Sequence, residues 1–116
     1  MQEKEKCEKV LRVFEDYLQK SPVPEVFWSE KKQCYYYVRH YEKDLDDFYK
    51  VETAENLCGL LLDEIDMDVY MELKLDKQTG DGKMTPKGKE IALKRMDPYL
   101  NQLPEYAHLA NEIYEE

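Results

Sequence analysis

A chain of 116 residues is long enough to bury one hydrophobic core without disulfides or metals. Ten tyrosines, three phenylalanines and one tryptophan exclude an intrinsically disordered chain, although the net charge is −9. The first residues are charged and lack the apolar stretch of a signal peptide. No apolar run approaches the ~20 residues that a membrane-spanning helix needs. We therefore expect a cytoplasmic protein that does not bind membranes.

The cysteines support the same location. Cys7, Cys34 and Cys58 are odd in number and form no Cys-x-x-Cys pair. This spacing argues against a disulfide framework and against a zinc site. We expect three reduced thiols that pack as small hydrophobic groups.

In chain order, the first half predicts a helix and then strands. Apolar residues at three- and four-residue spacing predict a helix over residues 3–20, and Ser21-Pro22 ends it. Aromatic and β-branched residues predict strands at residues 26–29 and 34–41, joined as a hairpin. Residues 48–51 are a candidate third strand.

The second half predicts mainly helices. Thr53 is the expected cap of a helix over residues 53–66, and strict alternation from Asp68 to Leu75 predicts a half-buried strand. Thr85 followed by proline predicts another helix start, and Asp97-Pro98 and Leu103-Pro104 are each expected to restart the chain. The order α-β-β-(β)-α-β-α-α predicts a single α+β domain over residues 1–116. Its antiparallel sheet would have three or four strands, with helices packed on one face.

The negative charge is concentrated in one part of the chain. Residues 42–72 contain eleven acids and two bases, and the rest of the chain has fifteen of each. All of the net charge of −9 therefore lies in residues 42–72. Residues 73–96, in contrast, carry seven bases against three acids. The protein is polarised rather than uniformly acidic.

The stretch DKQTGDGKMTPKGKE, residues 76–90, is similar to the calcium loop of an EF-hand. That loop needs oxygen ligands at positions one, three and five, glycine at six and glutamate at twelve. Placing Gly82 at position six puts Lys77 at one and Gly88 at twelve, and placing Asp76 at one puts Asp81 on the glycine position. Neither register supplies the ligands. We expect a turn that leads into a helix, with no metal or cofactor.

A second resemblance covers MTPKGKEI, residues 84–91. It is similar to the Thr-Pro-x-Gly-x-Glu stretch that follows the wing in some winged-helix transcriptional regulators. This resemblance implies a nucleic-acid-binding module that uses the basic segment 74–95. The helix that would read the groove, residues 53–66, has four acids and no Lys or Arg. We therefore do not expect direct binding of nucleic acid, and this function is an alternative.

A third resemblance involves Asp68, Glu72 and Lys74. On an alternating strand, Glu72 and Lys74 would share one face with Asp68 nearby. The pattern resembles the Asp…Glu-x-Lys signature of restriction-type nucleases, which implies a divalent metal held by carboxylates. The family carries this motif before its second core helix, whereas here it follows that helix. A metal-dependent nuclease is thus a second alternative, and a solvated strand face is the simpler interpretation.

Acids and tyrosines remain as the candidate functional surface. Tyrosine-rich surfaces beside acids are common in protein interfaces, because a large rigid ring is buried at low entropic cost. We expect a small interaction protein without catalysis that docks on a basic surface of another protein, such as a nucleic-acid-binding protein. By size and charge it resembles bacterial immunity proteins and phage-encoded inhibitors of the anti-CRISPR and DNA-mimic kinds. The predicted contact residues are Asp44, Asp46, Asp47, Asp63, Glu64, Asp66, Asp68, Tyr36, Tyr37 and Tyr41.

Overall fold

The computed structural model describes residues 2–40, 46–74 and 84–114. Within these residues it contains five α-helices and one three-stranded antiparallel sheet, which confirms the predicted α+β class. The chain divides into two compact units, residues 1–58 and 59–116, and the boundary falls inside one helix. The prediction of a single domain over residues 1–116 stays a prediction. None of the described helices is long and apolar enough to cross a bilayer.

The chain begins with two consecutive helices, α1 (Glu3–Val13) and α2 (Glu15–Lys20). The single helix predicted over residues 3–20 is therefore interrupted. The break lies at Phe14, whose backbone dihedrals are φ −92° and ψ 9°. Cys7, Val10 and Phe14 are all buried, and their three- and four-residue spacing places them on one helical face.

Three strands follow: β1 (Pro24–Ser29), β2 (Cys34–His40) and β3 (Asp46–Lys50). They pair antiparallel in the order β1-β2-β3. The predicted hairpin and the candidate third strand are therefore both confirmed. The hairpin turn closes at Gln33, which adopts a positive φ of 54° and donates its N–H to the Ser29 carbonyl at 2.7 Å.

The two faces of this sheet differ in exposure. Tyr37, in the middle of the central strand, is completely buried on one face. Lys4 Nζ lies 4.4 Å from the ring centroid of Trp28 on the same face, so α1 packs against it. On the opposite face Phe27 and Phe48 are exposed, whereas Val38 is only 2% exposed. The described side chains of this face, by register, are Glu25, Phe27, Ser29, Cys34, Tyr36, Val38, His40, Phe48 and Lys50.

Helix α3 (Ala54–Glu72) corrects the largest error of the sequence prediction. The strand predicted from Asp68 to Leu75 is wrong over the described residues 68–74, because the helix continues to Glu72 and ends in a turn. Leu61, Leu62, Ile65 and Val69 are all buried, and they extend the helical stripe without interruption. Val69 fits both patterns, because it also follows Leu62 and Ile65 at helical spacing, whereas Met71 lies on the exposed side of the helix.

The last third contains α4 (Pro86–Leu100), a short 3₁₀-helix (Pro104–Tyr106) and α5 (His108–Glu112). The predicted cap at Thr85 is confirmed, since Thr85 Oγ1 accepts a hydrogen bond from Gly88 N–H at 3.1 Å. The restart predicted at Asp97-Pro98 is wrong, because α4 continues through Pro98 to Leu100. The predicted turn at residues 76–83, with its resemblance to a calcium loop, lies outside the described residues.

Candidate functional site

Two side chains fix the first turn of α3, the helix that carries most of the candidate site. Thr53 Oγ1 accepts a hydrogen bond from Asn56 N–H at 3.0 Å, which confirms the predicted cap. Glu3 Oε2, from α1, accepts a second bond from Ala54 N–H at 2.8 Å. That bond, assisted by Lys6 at 3.5 Å, lowers the pKa of Glu3. The helix start is thus held by a local hydroxyl and by a distant carboxylate.

The acids of α3 differ in their access to solvent. The helix has six acids and no base. Asp63 is exposed and Asp66 and Asp68 are half-buried, whereas Glu64 is only 4% exposed. Glu64 follows Leu57 and Leu61 at helical spacing and therefore lies on the buried stripe. Three of the four predicted contact acids of this helix reach the surface, and the prediction of Glu64 as a surface contact is corrected.

Two methionines interrupt the acidic surface of α3. Met67 and Met71 are 42% and 58% exposed, although both are large apolar side chains. They lie one helical turn apart, and Asp63 lies one turn before Met67 on the same face. Between residues 51 and 73 the chain has no Lys, Arg or His. This face therefore presents flexible apolar side chains next to carboxylates with no base on the same helix.

A tyrosine near the end of the chain contacts the same helix. The Tyr114 hydroxyl donates a hydrogen bond of 2.6 Å to Asp66 Oδ1, and Lys89 Nζ lies 5.4 Å from the Tyr114 ring centroid. Although the Asp63 residue as a whole is exposed, partial desolvation of its carboxyl raises its pKa, and the neighbouring carboxylates of Asp66 and Glu64 raise it further. Ionised Asp63 is therefore less favourable here than in water. A cation brought to this face would relieve that repulsion.

The end of α3 excludes the strand geometry that the nuclease resemblance requires. Glu72 is the last residue of the helix, and Lys74 adopts a positive φ of 54° in the turn. Glu72 accepts two hydrogen bonds from Arg95 of α4, at 3.0 and 2.6 Å. These bonds lower the pKa of Glu72. The strand predicted to carry Asp68, Glu72 and Lys74 is therefore wrong, whereas Glu72 and Lys74 are exposed to solvent, as the simpler interpretation expected.

Tyr36 and Tyr37, two of the predicted contact residues, point to opposite faces of the sheet. Tyr36 is half-buried on the open face of the sheet and stacks on Phe27, with ring centroids 5.8 Å apart. Tyr37 points to the opposite face and has no exposed surface, so its prediction as a contact residue is corrected. Successive residues of a strand point to opposite faces, which allows only one of these two rings to face solvent here. Tyr41 lies outside the described residues.

The acidic connection before β3 is described only in part. Asp44 lies outside the described residues, and only the backbone of Asp46 is described. Asp47 is exposed and accepts a hydrogen bond of 3.4 Å from the Tyr49 hydroxyl. Of these three predicted contact residues, the structure therefore places only the Asp47 side chain.

Helix α4 carries most of the described part of the basic segment, and Lys74 lies in the turn that follows α3. Lys94 pairs with Glu90 at 3.4 Å, Arg95 pairs with Glu72, and Lys89 lies over the Tyr114 ring. The strand that should precede the wing in a winged-helix module is replaced, over residues 68–72, by helix. The winged-helix alternative therefore loses the element order on which it depended.

The three cysteines form no disulfide with one another. Cys7 and Cys58 are buried, and Cys34 is half-buried. Burial raises the pKa of the Cys7 thiol to about 11, and the charges of Glu3 and Glu8 contribute. Within residues 2–40, 46–74 and 84–114, no three His, Cys, Asp or Glu side chains are arranged to hold a metal ion.

Sequence reasoning missed four exposed hydrophobic residues of interest: Met67, Met71, Phe27 and Phe48. The strand predicted from Asp68 to Leu75 would place Met71 on the same face as Val69, which is buried. If residues 54–72 are instead treated as one helix, both methionines lie on the same face as Asp63. The sequence did not indicate that Phe48 is exposed, because a strand at the edge of a sheet has the same alternation of residues as a central strand.

Comparison of the chain with protein-family models, with curated proteins and with solved structures finds no match in any of the three.

Proposed function

We propose that this chain is an interaction protein without catalysis, which docks through α3 on a basic surface of another protein. The observation that carries the proposal is the exposed pair Met67 and Met71, beside Asp63 on a helix without bases. Exposed methionines alone would favour any apolar partner. Together with the carboxylates, they favour a partner that presents Lys and Arg around an apolar centre.

Each part of this face has a separate physical role in docking. The carboxylates create a long-range field that accelerates encounter with a positively charged partner. Methionine side chains adapt to an irregular apolar surface, since the thioether chain is unbranched and flexible. Asp63 gains most from a nearby cation, because its ionised form is disfavoured in the free protein. The partner is therefore a basic protein surface, of the kind that binds nucleic acid, and the chain acts as its inhibitor or immunity-type ligand.

The test compares matched variants for capture of proteins from a host extract at low salt. Met67→Ser with Met71→Ser removes the apolar centre. Asp63→Asn with Asp68→Asn removes two charges and leaves the Asp66–Tyr114 hydrogen bond in place. As the control, Asp16→Asn with Glu112→Gln removes the same charge from exposed positions on other helices.

Captured proteins are identified, purified and titrated against each variant. The expected partner is basic, binds the control as tightly as the wild type, and loses about tenfold or more in affinity with either α3 variant. Its association rate should fall steeply with salt, and DNA should displace the chain from it. A partner that binds all variants equally, or shows no salt dependence, would contradict the proposal.

A further inference from the structure

Strand β3 forms an open edge of the sheet, distinct from α3. Its described side chains, Asp47 to Lys50, are all exposed. In an antiparallel pair, backbone groups alternate between the partner strand and the outside. Val51 N–H donates to the Tyr35 carbonyl at 2.9 Å, so the alternation turns Tyr49 and Asp47 toward β2. The N–H and carbonyl groups of Phe48 and Lys50 therefore point away from the sheet, and no backbone hydrogen bond to them is formed by the described residues.

The other edge of the sheet is protected, whereas this one is not. On β1, His40 N–H donates to the Val23 carbonyl at 2.8 Å, which turns the backbone of Pro24 outward. Proline has no N–H to offer a neighbouring strand, and proline on an edge is a common protection against pairing. Strand β3 has no proline, and Phe48 at its centre is 62% exposed.

The sequence DDFYK of β3 is complementary to itself when it runs antiparallel. With Phe48 opposite Phe48 of a second copy, Asp46 stands opposite Lys50, and Lys50 stands opposite Asp46. All three positions direct their backbone groups outward, so each pair can exchange two N–H···O bonds. Shifting the strands by two residues in one direction places Asp47 opposite Asp47, and shifting them by four in the other direction places Lys50 opposite Lys50. A shift of two in that second direction places Tyr49 opposite Tyr49 and pairs no acid of β3 with a base. Among these registers, the one centred on Phe48 is therefore favoured, because within β3 it pairs acids with bases.

We propose that two copies of this chain associate through β3, in the register centred on Phe48, to form a continuous six-stranded sheet. This association is separate from the docking of α3 on a basic protein. The interface is small, so the dimer is weak and forms in proportion to concentration. The aromatic residues Phe27, Tyr36 and Phe48 of each copy then lie on the same face of the joined sheet.

Charge reversal provides a test that does not depend on loss of folding, because both positions lie on an edge strand and Lys50 is exposed. Asp46→Lys gives a strand with bases at both positions, and Lys50→Glu gives a strand with acids at both. Each variant alone should dimerise about tenfold or more weakly than the wild type. An equimolar mixture should form heterodimers, because each acid then stands opposite a base. The chain with both substitutions should recover the wild-type dimer.

Sedimentation equilibrium over a concentration series reaching the millimolar range measures these constants. Hydrogen exchange adds a local readout: the amides of Phe48 and Lys50 should gain protection with concentration, whereas those of Val26 and Trp28 on the β1 edge should not. A wild-type chain that stays monomeric throughout would overturn the proposal. A dimer that is unaffected by either reversal, or a mixture that associates no better than its components, would also overturn it.

Discussion

Replacing Gly59 with alanine should stabilise the protein, because this glycine lies inside helix α3 and glycine is a poor helix former. Gly59 is the sixth residue of α3 and has ordinary helical backbone geometry. A Cβ atom built at this position meets no heavy atom within 4 Å. The substitution therefore adds helix propensity without a steric cost.

The expected gain in the free energy of unfolding is about 1 kcal/mol, which is the difference between glycine and alanine inside a helix. For a chain of 116 residues this corresponds to an increase in Tm of about 4 °C. Urea unfolding, followed by far-UV circular dichroism and by fluorescence of Trp28, measures the change. Coincident transitions in the two signals would justify a single free energy.

Gly88→Ala is the matched control, since it also lies in a helix. A Cβ atom there would meet Met84 Sδ and would lie 3.2 Å from Thr85 Oγ1, the oxygen that caps α4. We expect no net gain, because the better propensity is offset by disturbance of the cap. If Gly59→Ala instead lowered stability, the continuous helix through residue 59 would be refuted.

The two neighbouring tyrosines should differ strongly: Tyr37→Ala should cost about 3–5 kcal/mol of unfolding free energy, as for other buried aromatics, and Tyr36→Ala clearly less. Equal losses in urea titrations would show that the register of β2 is wrong. A double-mutant cycle on Glu72 and Arg95 should give a coupling of at most about 1 kcal/mol that shrinks with salt, because both side chains are roughly half exposed. Since the pKa of Cys7 is raised to about 11 from 9.0, the stability due to its protonated form is complete below pH 9 and is lost toward pH 11. Wild-type stability should therefore fall more steeply than that of Cys7→Ala over this range, and parallel curves would contradict the shift.

The features that sequence predicted correctly are those decided by neighbouring residues. Thr53 and Thr85 cap their helices through bonds to residues three positions ahead. The hairpin followed from two aromatic runs separated by a short polar stretch. Such signals need no knowledge of the rest of the fold.

The errors arose where two periods fit the same residues. Val69, Met71 and Leu73 alternate like a strand, whereas Ile65 and Val69 continue a helical stripe. The helix prevails because it buries Val69 together with Leu61, Leu62 and Ile65, and no glycine or proline lies between residues 60 and 72 to end it.

The sequence showed which residues of the candidate surface are charged, but not which of its residues are exposed. Asp63, Asp66 and Asp68 reach the surface, whereas Glu64 and Tyr37 are buried. Glu64 could have been assigned correctly from its spacing to Leu57 and Leu61. Whether Tyr36 or Tyr37 is buried depends on which face of the sheet α1 covers, and no local sequence pattern contains that information.

The hydrogen bond from Ala54 to Glu3 joins residues 51 positions apart, which has a consequence for the order of synthesis. Residue 3 leaves the ribosome before residue 54, so the carboxylate that completes the α3 cap is already available when the first turn of α3 emerges. A circularly permuted chain in which residues 1–20 are made last would reverse this order. In that chain α3 would emerge with only the Thr53 cap, and it would acquire its second cap only after synthesis was complete.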